Sequence, residues 1–278
     1  MNLFQILLLA IVQGAAELLP VSSSAHVIVA EKLMGLDPTA PAMTLLLVML
    51  HTGTMFAVIV YFWRAWRETF FSSALAFRTN ALYLAVATAA TGVVGLILLK
   101  LIKRVFMHDS PDFEIEHLFG NARLMAAALA SAGVLIIVSS RIAQRSGGAL
   151  SIGSAAWIGA VQGLCLPFRG FSRSGATIST GLALGVQRQR AEEFSFALAV
   201  VLTPAVIVKE VLRLIKAEAA TGAADLMPLL LPSLLGMLLS FAAGLLALRW
   251  LSGWLERGRW HLFGAYCLFA AGVVLYVG

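Results

Sequence analysis

A glutamate inside an apolar stretch is followed closely by a proline, three serines and a histidine: Gln13-Gly-Ala-Ala-Glu17-Leu-Leu-Pro20-Val-Ser22-Ser23-Ser24-Ala-His26. Gln13 and Glu17 stand four positions apart and would share one helix face. Glu17 can take a proton from a serine or a water, or hold a divalent cation together with the Gln13 amide oxygen. Ser23 is the candidate nucleophile and His26 a candidate acid or base. Ser22 and Ser24 are candidate phosphate contacts, although any one of the three serines could instead cap a helix over 25–34. About 150 residues further on, Val161-Gln162-Gly163 repeats Val12-Gln13-Gly14 and runs into Leu-Cys-Leu-Pro167-Phe-Arg169-Gly170-Phe-Ser172-Arg173-Ser174-Gly175-Ala-Thr177. Here an arginine stands between two hydroxyls where a helix could begin, near Ser174. A guanidinium fork matches phosphate oxygens, and the free N–H groups of a helix start add anion affinity. Arg169, Arg173, Ser172, Ser174, Gly175 and Thr177 therefore read as an oxyanion cradle. The alternative is a buried ion pair between Arg173 and Glu17 that holds two parts of the chain together. The two readings are compatible.

The elements that must carry these groups follow from hydropathy. The chain is 60% hydrophobic and only 12% charged, with a mean hydropathy of +0.91, which excludes an ordinary soluble domain. Six stretches can cross a bilayer: 42–63, 81–102, 121–140, 191–213, 227–249 and 260–277. Two further apolar regions, 2–35 and 151–186, are broken by the polar segments above, and most of their arms are too short to span. Each reads as a re-entrant hairpin whose tip lies against protein or a water-filled cavity. The order is insert, three spans, insert, three spans. Because three is odd, the second half must be inverted relative to the first. The expected fold is an all-α integral membrane protein of one polytopic domain, 1–278, with about six transmembrane helices and two re-entrant hairpins. Its inverted repeats would cover approximately 1–145 and 146–278.

The net charge of +6 sits beside apolar spans rather than on a basic stripe, which argues for membrane anchoring and against nucleic acid. Arg64, Arg67, Arg78, Arg141, Arg145, Arg188, Arg190, Arg249, Arg257 and Arg259 fall on one side, which the positive-inside rule makes cytoplasmic. The acidic 105–118 loop, the N-terminus and the first insert then face the periplasm, and the second insert enters from the cytoplasm. The first residues lack the basic segment of a signal peptide and read as mature protein. Cys165 and Cys267 both read as small buried apolar residues rather than a disulfide or metal pair. Trp63, Trp66, Trp250, Trp254 and Trp260 read as an interfacial belt. His51 and Thr52 read equally well as cavity lining or as a helix–helix contact, and Lys209 with Glu210 as a snorkelling or paired couple.

A carboxylate, a serine, a histidine and an arginine at membrane depth suggest phosphoryl transfer from an amphipathic anion such as a lipid diphosphate. Paired broken helices also occur in secondary transporters, so a transporter or lipid-carrier flippase with a midplane anion site is the rival reading. Pure transport needs no nucleophile.

Gln13-x-x-x-Glu17 running into Leu-Pro-Val-Ser-Ser-Ser-Ala-His26, and Gly170-Phe-Ser172-Arg173-Ser174-Gly175-Ala-Thr177, resemble the two signatures of the bacterial undecaprenyl-diphosphatase (bacitracin-resistance) family. The run Ala191-Glu-Glu193-Phe-Ser195-Phe and the spacing of spans are similar too. The resemblance implies hydrolysis of undecaprenyl diphosphate to undecaprenyl phosphate and inorganic phosphate in the bacterial inner membrane. This recycles the lipid carrier of peptidoglycan synthesis and confers bacitracin resistance. It also implies a divalent cation such as Mg²⁺ near Glu17 and Gln13, and an active site open to the periplasm. It makes Ser23 the nucleophile, His26 the essential imidazole and Arg173 the diphosphate ligand. The partners would be the lipid substrate and the bilayer, with a homodimer left open. Three positions depart from the pattern: Gln13 takes the amide alternative to a first Glu, Ala25 replaces Gly, and Arg169 stands where Pro is usual.

Overall fold

The computed structural model describes residues 2–37, 41–106, 121–142, 147–168, 170–221 and 227–277. Arg169, Arg145 and the acidic residues between 107 and 120 lie outside them. Among the described residues the regular structure is helical: α1 Leu3–Leu18, α2 Ser23–Leu33, α3 Pro41–Thr69, α4 Ala74–Phe106, α5 Ala122–Ile142, α6 Ile152–Cys165, α7 Arg173–Ala183, α8 Arg188–Thr221, α9 Met227–Glu256 and α10 Trp260–Val277. Six of these, α3, α4, α5, α8, α9 and α10, are long and apolar enough to cross a membrane. Several run past the apolar windows of the sequence. In α3, for example, Arg64 and Glu68 pair at 3.3 Å across one turn, so the helix continues into its charged end.

The two broken regions each form a short apolar helix, a polar break and an 11-residue helix. Helix α1 has 16 residues and α6 has 14. At the helical rise these are about 24 and 21 Å long, short of a hydrocarbon core of roughly 30 Å. Both begin with a capping box, Asn2 with Gln5 and Ser151 with Ser154, which satisfies first-turn N–H groups locally. Both end near a proline, Pro20 or Pro167, which cannot donate to the preceding turn. The chain entering α6 and leaving α7 is joined directly: Gly148 N–H donates to Gly185 at 3.0 Å and Gln187 N–H to Gly148 at 2.9 Å.

Each short helix packs on a long span distant in sequence, α1 on α9 and α6 on α4. Glycine permits the close approach in both cases. A Cβ at Gly14 would lie 2.6 Å from the Ser240 carbonyl of α9, and one at Gly163 would lie 2.8 Å from the Thr91 carbonyl of α4. Helix α3 packs against α8 and α9, while α5 packs against α10 and α7.

The expected tryptophan belt is only partly there. Trp63 and Trp250 are exposed, but Trp66 and Trp260 are buried in the core. Their indole N–H groups are satisfied inside, by the Glu193 carbonyl at 3.2 Å and the Ser179 hydroxyl at 3.0 Å. A tryptophan at a span end serves packing as readily as anchoring when a partner is in reach. Cys267 is buried as expected, whereas Cys165 is half-buried and lines a cavity shared with Glu17 and Arg173.

Candidate active site

The breaks after α1 and before α7 come together. Leu19 is extended after the last turn of α1, and Ser22 takes φ 66 before α2 begins at Ser23. Ser22 occupies the N-cap position of α2, yet its side chain makes no capping bond. In the second insert Ser172 caps α7, its hydroxyl accepting from Gly175 N–H at 3.2 Å. Gly170 has φ 107 and sits against the Met125 carbonyl, where a side chain would collide. The carbonyls of the first break are taken up by the other half of the chain. Ser174 Oγ donates to Leu19 at 3.2 Å and Cys267 Sγ to Pro20 at 3.2 Å.

Glu17 is the centre of the constellation. Its Oε1 accepts from Arg173 Nη2 at 2.9 Å, and its Oε2 accepts from Ser23 Oγ at 2.5 Å and from Gln13 Nε2 at 3.2 Å. His51 Nε2 lies 3.9 Å from the same Oε2, while its Nδ1 faces its own Leu47 carbonyl at 2.8 Å. His51 is thus cavity lining rather than a helix–helix bond. Arg173 Nη1 is buried and has no protein acceptor, so one arm of the guanidinium is held by Glu17 and the other is left without a partner.

These groups line a cavity of about 370 Å³. Its polar wall includes Glu17, Ser22, Ser23, Ser24, His51, Ser172, Arg173 and Ser174, and its apolar wall includes Leu166, Phe168, Phe171 and Leu202. Glu17, Ser23, Arg173 and the flanking serines, expected from sequence to meet, do meet. Gln13 reaches the site through Glu17 only. Gly175 and Thr177 stand behind the cavity, and the Thr177 hydroxyl is engaged with Ser195 Oγ at 2.6 Å and the Arg173 carbonyl at 2.8 Å. That ties α7 to α8 and holds Arg173 from behind. His26 is not among the residues that line the cavity; its Nδ1 lies 2.8 Å from the Ser22 carbonyl and its Nε2 2.7 Å from Tyr266 Oη.

Sequence reasoning gave no site role to Gln162 or Tyr266, and read Glu210 only as half of a snorkelling or paired couple with Lys209. Gln162 is buried and lines the cavity beside Cys165, and its only sequence signal was the Val-Gln-Gly repeat. Glu210 lines the same cavity from α8. In the neighbouring run, Glu193 pairs with Arg190 at 2.8 Å, and Arg190 also bonds Asn80 at 3.0 Å. Glu192 accepts from Ser252 at 2.5 Å. This second polar cluster fastens α8 to α4 and α9 and does not line the cavity.

A polytopic helical membrane protein whose two halves share one carboxylate–arginine–serine cavity is the class that fold and site define. The chain belongs to the bacitracin resistance protein BacA family, whose model matches residues 6–274. It is 66% identical over 278 residues to undecaprenyl-diphosphatase 2 of Acinetobacter baylyi, covering 99% of this chain and 98% of that one. It is 37% identical to undecaprenyl-diphosphatase 1 of Burkholderia pseudomallei, with 97% and 95% covered. To undecaprenyl-diphosphatase of Desulfosudis oleivorans it is 33% identical, with 100% and 99% covered.

Proposed function

We infer that this chain is a membrane phosphatase that hydrolyses undecaprenyl diphosphate to undecaprenyl phosphate and inorganic phosphate, and so supports bacitracin resistance. One observation carries the assignment of the reaction to this cavity: Glu17 contacts Ser23 at 2.5 Å and Arg173 at 2.9 Å at once. The free arm of Arg173 and the start of α7 receive the diphosphate, with the lipid tail leaving along Leu166, Phe168, Phe171 and Leu202. Glu17 takes the Ser23 proton as Ser23 Oγ attacks the terminal phosphorus, and undecaprenyl phosphate departs. Water then frees phosphate from the serine. Catalysis rests on positioning and on charge neutralisation. Transport alone would leave the Ser23–Glu17 contact without a use.

The donor set for a divalent cation is the Glu17 carboxylate with Gln13, and no group of three or more His, Cys, Asp or Glu forms among the described residues. Such a set fits Mg²⁺ that arrives with the diphosphate, since Mg²⁺ is commonly held by one or two carboxylates plus substrate phosphates. Bound there, it would offset phosphate charge.

The two short helices, the closed mouth of the α6–α7 pair and the matched packing of α1 on α9 and α6 on α4 support re-entrant hairpins in two inverted repeats. Arginines at the ends of α3, α5 and α9 support a cytoplasmic assignment for those ends, which turns the first insert to the periplasm of the inner membrane. A homodimer is compatible with this arrangement.

The test is phosphate release from a polyprenyl diphosphate by purified protein in detergent. Glu17→Ala and Arg173→Ala should each lower kcat by about 100-fold or more, as loss of a charge-stabilising group does. Undiminished release in both would refute the site. No release by the wild-type protein would turn the assignment to transport.

A further inference from the structure

His26 does not line the cavity, and its contact with Tyr266 links the first insert to the last helix of the chain. His26 Nδ1 faces the Ser22 carbonyl at 2.8 Å, and because a carbonyl can only accept, Nδ1 carries the hydrogen. In the neutral ring Nε2 is then a lone pair, and the Tyr266 hydroxyl donates to it at 2.7 Å. The ring planes lie 13° apart with centroids separated by 5.6 Å, so the tyrosine holds the plane of the imidazole while the Ser22 carbonyl sets its tautomer. Tyr266 belongs to α10, and few other contacts join α10 to α2.

Both ring nitrogens are therefore committed, and neither points at Ser23 or Glu17. The Ser23 proton already has an acceptor, since Glu17 Oε2 lies 2.5 Å from the hydroxyl. What His26 holds is the carbonyl of Ser22. Among the described residues Ser22 is the one non-glycine with positive φ, at 66°. A side chain in that region persists only where its surroundings hold it there. Ser22 is also the residue that turns the chain so that Ser23, the first residue of α2, meets the last turn of α1.

We propose that Tyr266 is a positioning residue: with His26 it forms a brace from α10 to the Ser22 carbonyl that holds the left-handed turn and aims Ser23 at Glu17. The inference rests on the phosphatase reading of the cavity, and within that reading it moves His26 from proton transfer to support. The amide of an asparagine can place its Nδ2 where the imidazole has Nδ1 and donate to Ser22, but it cannot titrate.

The experiment measures phosphate release from a polyprenyl diphosphate across pH for purified wild type, His26→Asn, His26→Ala, Tyr266→Phe and Glu17→Ala, with thermal unfolding of each in detergent. The brace predicts that His26→Asn keeps kcat within about tenfold of wild type, against the roughly 100-fold or more that removing a general acid or base costs. The shape of its pH profile should match wild type, while His26→Ala falls well below both. Tyr266→Phe should lower kcat about three- to tenfold with KM unchanged, the effect of one lost hydrogen bond on positioning. A folded His26→Asn as inactive as His26→Ala, or one that loses an ionisation present in wild type, returns His26 to acid–base work and overturns the proposal. Wild-type kcat in Tyr266→Phe overturns the part given to the tyrosine. Full activity of Glu17→Ala would sink the cavity reading and the brace with it, whereas failure in the His26 arms alone sinks only the brace.

Discussion

The Glu17 carboxylate divides its oxygens between the two halves of the chain: Oε1 takes the Arg173 guanidinium, while Oε2 takes the Ser23 hydroxyl and the Gln13 amide. With side chains 18% and 26% exposed, Glu17 and Arg173 are sheltered but still touch the cavity. Removing one partner leaves the other charge poorly compensated. Arg173→Met should therefore cost about 1–2 kcal/mol of stability, less than a fully buried pair would lose because the cavity screens it. Glu17→Gln with Arg173→Met should recover most of that loss while remaining inactive. Thermal unfolding in detergent checks this, and an additive double variant would show that the two charges do not interact. Glu17, Ser23 and Arg173 were legible in the sequence because ionisable and nucleophilic types are conspicuous inside apolar runs. Tyr266 was not. A tyrosine in Phe-Gly-Ala-Tyr-Cys within an apolar span looks like any packing residue, and its partner lies 240 positions away.

At the scale of elements, the site depends on how closely two short helices approach their neighbours. Gly159 and Gly163 on α6 face Ala87 and Thr91 on α4, and a Cβ at Gly159 would run into the Ala87 carbonyl. That same contact is fastened by Thr91 Oγ1, which lies 2.9 Å from the Gly159 carbonyl. Gly159→Ala should push α6 from α4, cost about 1–3 kcal/mol as overpacking does, and shift the tip that carries Arg173. A rise in KM for the lipid diphosphate is the expected kinetic sign. Gly92→Ala is the control, since a Cβ there meets nothing within 4 Å. It should be neutral, or stabilising by up to about 1 kcal/mol from helix propensity. Thermal unfolding of both variants decides the matter, and equal effects would mean that close packing of α6 is not what positions the tip. The short helices themselves were readable from length, Pro20 and Pro167. Their partners were not, because hydropathy along a span does not say which distant span it meets. The capping residues were ambiguous for a related reason. Three serines before α2 looked alike, and the structure uses Ser22 for its backbone and Ser23 for its hydroxyl.

For the whole molecule the proposed inversion makes corresponding residues perform complementary tasks. Ser22 and Ser172 both precede a short helix, and Ser23 and Arg173 are the first residues of α2 and α7. One supplies a hydroxyl and the other a guanidinium, and both end on Glu17. If the halves are inverted, the open ends of the two inserts must face opposite compartments. Lys32 near the end of α2 is exposed and marks the first insert, while exposed Gly147 marks the mouth of the second. In a Cys165→Ser background, Lys32→Cys should react with a membrane-impermeant thiol reagent added to intact spheroplasts. Gly147→Cys should react only after the membrane is opened, together with Arg67→Cys at the end of α3. The charge pattern predicts this order, because arginine-bearing span ends such as those of α3, α5 and α9 are favoured on the cytoplasmic side. Labelling of Lys32→Cys and Gly147→Cys from one side would end the inverted arrangement but would leave the Glu17–Arg173 contact untouched. Labelling from opposite sides in the reverse order would keep the inversion and place the cavity mouth of the first insert in the cytoplasm. Only the expected order would let a single polar cavity receive a diphosphate from the periplasmic side while Arg173, the ligand proposed for it, is anchored from the cytoplasmic one.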